Sequence, residues 1–298
     1  MKYESRKYID LIQSITSKWA NWDPPKPINV GDYGMINNAT GEFEWEGNIY
    51  TSKTITDIDM TDPALHPVEE EGDDKFIVKS WGVTTRETKV ATEAAVSGVV
   101  NVALKVDFEF EGRKRAAAMV MYQPRYISLP KDERIIELLK CRPEKLKGKY
   151  IVTEVICCAA YMMYMSTNRA EKFSVTLQVT GPPSPAANVG GTAGFTWSSE
   201  TTHGIYREGS NTSIKYMPLY RLKKPRNKFW LPWSQRGDEK IDDSIEKWDD
   251  VDTPWDPLDE EGEEDEFYDA VRSQFFYLEL NLIHLSPTGD AWRLRCFQ

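Results

Sequence analysis

Residues 100–110, VNVALKVDFEF, alternate without a break. Val100, Val102, Leu104, Val106, Phe108 and Phe110 are separated by Asn101, Ala103, Lys105, Asp107 and Glu109. A period of two puts all six apolar side chains on one face of an extended strand. Strands in globular proteins are usually about 5–6 residues long, so this one needs long neighbours and a large dry surface over one face. That requirement points to antiparallel sheet with one face buried and the other wet.

The flanking sequence offers the neighbours. TKVATEAAVSGV precedes the strand, and AAAMVMYQ follows it after EGRKRA. We read the strands flanking EGRKRA as one pair, with Arg113, Lys114 and Arg115 at the tip. YIVTEVICCAAYMMYM reads as a second long strand. Its expected partner, after STNRAE, is KFSVTLQVT, in which Phe173, Val175, Leu177 and Val179 alternate with polar residues. GPPSPAANVGGTAG is a Gly/Pro/Ala loop. FTWSS and GIYREGSNTSIKYMPLYRL read as strands closed by a turn at Glu208 to Asn211. Residues 28–50 form a hairpin around NNATGE, and residues 51–75 form a polar surface loop.

Three segments read as helices. Residues 3–19 place Tyr8, Ile12, Ile15 and Trp19 at helical spacing, with Lys2, Arg6, Lys7 and Lys18 on the other face; DERIIELLKC and AVRSQFFYLELNLIHL are the others. The expected class is α+β: a twisted, mostly antiparallel sheet with flanking helices and long hairpin-forming strands. A body over residues 1–230 is followed by an acidic segment, 231–298, with a terminal apolar helix.

Charge is unevenly spread. Residues 238–269 hold 17 Asp and Glu against Lys240 and Lys247, a net −15 that leaves the rest of the chain at +5 within the overall −10. The acidic run is either a solvated loop or a mask over a basic, anion-seeking surface. No apolar run reaches the about 18 residues of a transmembrane helix, and the N-terminus has no apolar core of a signal peptide. With Cys141, Cys157, Cys158 and Cys296 and no CxxC, neither a disulfide framework nor structural zinc is indicated. A cytosolic chain without cofactor or metal is expected. No phosphate-binding loop, nucleophile elbow, zinc-protease or dinucleotide motif occurs. His66, His203 and His284 carry no ligand spacing. An enzyme is therefore not indicated, and nothing points to nucleic acid.

A membrane role fits the long strands. A membrane-crossing β-strand needs about 9–11 residues, apolar toward lipid and polar toward water. One hairpin pair cannot satisfy its own edges in lipid, so such a chain must oligomerise into a closed barrel.

The order of elements resembles the pore-forming domain of the gasdermins, and among them the short fungal proteins of heterokaryon incompatibility. The resemblance spans roughly residues 1–230. It rests on the amphipathic helix, the Pro-led hairpin, VATEAAVSGVVNVALKVDFEF, the helix ERIIELLKC followed by KYIVTEV, a second strand pair, the Gly-rich link and a last pair of strands. It implies a cell-death effector that binds acidic phospholipid, oligomerises with itself or with a divergent gasdermin-like partner, and inserts two β-hairpins per subunit. The chain would be cytoplasmic when inactive and at the cell membrane when active. The hairpins would run from about Phe76 to Tyr122 and from Tyr150 to Val179. Lipid contact would fall on Arg6, Lys7, Arg113, Lys114, Arg115, Lys145, Lys147 and Lys149. The inserting faces would carry Val100, Val102, Leu104, Val106, Phe108, Phe173, Val175 and Leu177. Animal gasdermins add a large inhibitory domain, whereas here about 70 residues follow the body. Activation would then come from a protease acting on the short tail or from a partner. The competing readings are a soluble partner-binding module without membrane activity and an enzyme without a recognisable motif.

Overall fold

The computed structural model describes residues 3–51, 59–92, 100–112, 114–141, 146–167, 169–181, 194–200, 203–211, 215–225, 248–259 and 263–264. In chain order these form α1 (Glu4–Thr16), β1 (Trp19–Ala20), β2 (Asp32–Ile36), β3 (Phe43–Asn48), β4 (Val68–Glu71), β5 (Lys75–Lys79), β6 (Val83–Thr92), β7 (Val100–Phe110), β8 (Ala117–Tyr122) and β9 (Arg125–Ser128). They continue with α2 (Glu133–Cys141), β10 (Tyr150–Cys158), β11 (Ala160–Met165), β12 (Glu171–Gly181), β13 (Gly194–Ser199), β14 (Ile205–Ser210), β15 (Tyr216–Pro225) and β16 (Trp248–Asp250). The class is α+β with mostly antiparallel sheet.

Three sheets form. The first runs β1-β15-β10-β2-β3, with β9 and β4 added beside β10 and β16 added to β15. The second is β14-β11-β8-β5 and the third is β13-β12-β7-β6. The last two share one order, because β5 continues into β6, β7 into β8, β11 into β12 and β13 into β14. A single four-stranded antiparallel sheet is thus folded over on itself at four bends, whose described residues are 80–82, 111–112 with 114–116, 166–167 with 169–170, and 200 with 203–204. Val106, Phe108, Phe110, Phe173, Val175 and Leu177 of the third sheet pack on Ala118, Val120, Met162 and Tyr164 of the second.

The second sheet is the middle layer. Its other face, with Met119, Met121, Tyr161, Met163 and Met165, packs against α1 and the first sheet. Tyr8, Ile9 and Ile12 of α1 are fully buried there, and Tyr8 Oη donates to Ala118 O at 3.3 Å. A strand covered on both faces has no wet side. For that reason AYMMYM shows no alternation, whereas β7, with one solvent face, does.

These pairings correct the expected ones. β7 pairs with β6 and β12, not with β8. β12 pairs with β7 and β13, not with the strand before it. YIVTEVICCAAYMMYM is divided at Ala159 into β10, in the first sheet, and β11, in the second. The chain from β7 to β8 therefore passes between layers, with Lys114 and Arg115 on that passage; residues 93–99, between β6 and β7, and 182–193, between β12 and β13, lie outside the described residues. β5 to β8 span Lys75 to Tyr122 and β11 to β14 span Ala160 to Ser210, so the second pair expected over Tyr150 to Val179 does not form. β14 and β15 belong to different sheets and do not pair, so the turn at Glu208 to Asn211 closes no hairpin. The β2–β3 hairpin forms as expected. The loop 51–75 includes β4 and a 3₁₀ turn at Pro63–Leu65.

The first helix stops earlier than its periodicity suggests. Ser17 takes a left-handed conformation, φ 54°, and its N–H caps Gln13 O at 2.8 Å. Trp19 therefore enters β1, and Ile15 stays exposed while Ile9 takes the core position.

Candidate functional site: the folded-over sheet and the strap on the first helix

The bends hold together through a few small residues. Ser80 and Ser166, both buried, bracket Ala116 and Ala117. Ala117 N–H donates to Ser80 Oγ and Ala116 N–H to Ser166 Oγ, each at 2.8 Å. Ser80 N–H and Ser166 N–H return bonds to Ala117 O and Ala116 O at 2.8 Å. Gly82 turns at φ +76°, and a Cβ on Gly112 would lie 2.8 Å from Ala170 N. Small residues let the corners approach closely.

The third sheet has long strands: β6 has 10 residues, β7 and β12 have 11 each. Leu104 faces Leu177, Val106 faces Val175 and Phe108 faces Phe173 in register. All six are buried against the middle layer. Lys105, Asp107, Glu109, Lys172 and Gln178 occupy the opposite face and are exposed or partly so. Val100 and Val102 continue β7, but their side chains lie outside the described residues. Two strands expected in separate hairpins are thus direct neighbours, and their apolar faces form one surface.

The acidic window supplies the second half of the site. Residues 248–259, with 263–264, run along α1 as a strap. β16 pairs with β15, and Val251 O accepts from Gln13 Nε2 at 2.8 Å and from Trp19 Nε1 at 3.0 Å. Trp255 packs edge-on against Trp19, 5.9 Å between ring centres, and its Nε1 donates to Asp10 Oδ1 at 2.9 Å. Burial pushes the Asp10 carboxyl up to about 6, against the opposing hydrogen bond from Trp255 and the charge of Lys7. Arg6 NH1 donates to Glu264 Oε1 at 2.7 Å and to Asn38 O at 2.9 Å. Lys7 Nζ donates to the carbonyls of Asp259 and Leu258 at 2.6 and 3.1 Å.

The expected lipid-contact residues fall on three separate elements. Arg6 and Lys7 are 3% and 8% exposed beneath the strap, so neither is on the surface in this form. Lys114 and Arg115 lie on the β7–β8 bend, both with interaction partners. Lys147 precedes β10, and Lys149 pairs with Glu46 at 2.6 Å. Arg113 and Lys145 lie outside the described residues. Sequence reasoning misses the strap residues Val251, Trp255 and Leu258. Two tryptophans and two prolines inside the acid run are the available signal that it packs.

Cys157 and Cys158 are buried and free. Burial pushes both thiols up, away from the thiolate that nucleophilic chemistry needs. Among the described residues no group of His, Cys, Asp and Glu could hold a metal ion, and no helix is long and apolar enough to cross a membrane, which leaves strands open. Comparison with protein-family models finds no match, and comparison with curated proteins finds no similar chain.

Proposed function

We propose that this chain is a membrane pore former of the gasdermin kind, cytoplasmic at rest and active at membranes rich in acidic phospholipid. The observation that carries the reading is the folded-over sheet. Three of the four strands in its outer layer, β6, β7 and β12, have 10 or 11 residues, within the about 9–11 that cross a bilayer. In β7 and β12 the inward face is apolar and the outward face polar, which is the alternation of a barrel wall; β6 is mixed, with Val83, Thr85 and Glu87 opposite Phe110, Phe108 and Val106.

Unfolding the sheet at its four bends makes two long adjacent hairpins, β5–β8 and β11–β14. The strand-to-strand hydrogen bonds within each layer can survive that motion, because the bends lie across the strands and not between them. The change exchanges one dry environment for another: Leu104, Val106, Phe108, Phe173, Val175 and Leu177 leave the middle layer and meet lipid. Met162, on the face that the outer sheet leaves, suits the change, since thioether chains repack easily. The edges, β6 and β13, then pair with neighbouring copies, which makes a closed oligomer compulsory. Arg6 and Lys7 join the lipid-facing cations once the strap leaves α1, each basic residue near an anionic surface contributing about 1 kcal/mol.

Dye release from vesicles with and without phosphatidylserine tests this reading. Leakage that depends on acidic lipid and rises after cleavage of the strap is expected. No leakage from either vesicle, before or after cleavage, would reject the pore and leave a soluble partner-binding module.

A further inference from the structure

A second feature lies on the other side of the first sheet. Between α2 and the paired strands β10 and β15 is a cleft of about 340 Å³, inside the range of small-molecule sites, about 300–1,000 Å³. Leu129, Ile135, Ile136 and Leu139 give it an apolar lining, completed by Trp248 of β16. Lys131, Arg221 and Lys223 bring three cations to the same cleft.

Among the described residues the carboxylates present leave two of the three without an ion pair, Arg221 alone being paired, with Glu154. Glu154 is held by Lys18 at 2.5 Å and lies 3.7 Å from Arg221. Glu70 is the other acid in the lining, and among the described residues neither Lys131 nor Lys223 forms an ion pair. Two of the lining residues also carry a buried polar atom without a hydrogen-bond partner, Thr153 Oγ1 and Arg221 Nε. Unpartnered buried donors are rare and call for an acceptor. An acidic protein that gathers unpaired cations beside an apolar cleft is complementary to an anion with a hydrocarbon tail.

We propose that this cleft binds a single-chain amphipathic carboxylate. The alkyl chain lies against Ile135, Ile136, Leu139 and Trp248, and the carboxylate meets Lys131, Lys223 and Arg221. Because Trp248 belongs to the segment that continues into the strap, the bound molecule ties that segment to the body and stabilises the strapped form. The site is independent of pore formation, so its test involves no membrane.

The experiment titrates the full chain with sodium decanoate below its micelle concentration, by calorimetry and by thermal melting. Saturable binding at one site and a rise in Tm are expected. Acetate, which lacks the chain, and decanol, which lacks the charge, should each bind at least about tenfold more weakly, as should the Lys131→Gln, Lys223→Gln double variant, because a charge-assisted contact is lost. Ile136→Trp fills the cleft from a half-buried position and should abolish binding at unchanged Tm. The proposal is overturned if decanoate gives no saturable binding, if decanol binds as well as decanoate, or if Ile136→Trp binds decanoate with unaltered affinity.

Discussion

Replacing Trp255 by Ala separates packing from charge as the force that holds the strap. Trp255 is 8% exposed, stacks edge-on against Trp19 and donates to Asp10. A fully enclosed Trp→Ala change costs about 3–5 kcal/mol. The strap lies at the surface and relaxes, so the lower end, about 3 kcal/mol, applies. At about 1.4 kcal/mol per tenfold, the undocked fraction rises roughly a hundredfold. Glu264→Gln removes the ion pair to Arg6, but the Glu264 side chain is 50% exposed. Such a pair is worth about 0–1 kcal/mol, no more than roughly fivefold. Limited proteolysis under native conditions reads the difference, because cleavage follows the open population when opening and closing are fast. Trp255→Ala should be cut within residues 248–264 far faster than the parent, and Glu264→Gln nearly as slowly as it. Equal rates for Trp255→Ala and the parent, or a larger effect from Glu264→Gln, would refute packing as the main force on the strap.

The strap should also respond to pH through Asp10. Its carboxyl is held at about 6 when docked and returns toward about 3.9 when exposed. The docked form therefore binds the proton more tightly, so docking is strongest below about pH 4 and weakens as pH rises to about 6. Strap proteolysis should be slower at pH 5 than at pH 7.5 in the parent, and Asp10→Asn should remove the difference. Leu104→Asp puts a carboxylate on the face assigned to lipid, at a cost of ~2 kcal/mol or more. It should abolish leakage, measured beside Tm because Leu104 is buried in the resting form. Arg113→Glu with Lys114→Glu should leave Tm unchanged and weaken flotation with acidic vesicles, an effect that shrinks with added salt.

The sequence declares a strand most clearly where one of its faces is wet. β7 alternates because Lys105, Asp107 and Glu109 meet water while Val106, Phe108 and Phe110 do not. The same alternation cannot say which strand lies beside it, since period two fixes a face and not a neighbour. That is why β8, adjacent in sequence, reads as the partner of β7, and why the turn at Arg113–Arg115 reads as a tip. β11 carries no period at all, because both sides of AYMMYM are covered. The middle layer, which turns the outer sheet into a folded-over half, is therefore hidden in the sequence. On α1 the apolar stripe of Tyr8 and Ile12 is legible. The burial of Arg6 and Lys7 is not, since it depends on a strap about 250 residues away in the chain. Within the strap, the acid count obscures Trp255, whose burial decides where the segment lies.

The proposed pore requires the outer sheet to leave the middle layer for lipid. Single cysteines at positions 104 to 109, in a chain whose native cysteines are replaced by alanine, can carry a polarity-sensitive dye read on vesicles with a lipid-borne quencher. A period of two is expected in the vesicle-bound, leaking protein: quenching at 104, 106 and 108, and water-like emission at 105, 107 and 109. Leaking vesicles with no lipid contact at 104, 106 and 108, or with contact at all six positions alike, would contradict insertion of this sheet.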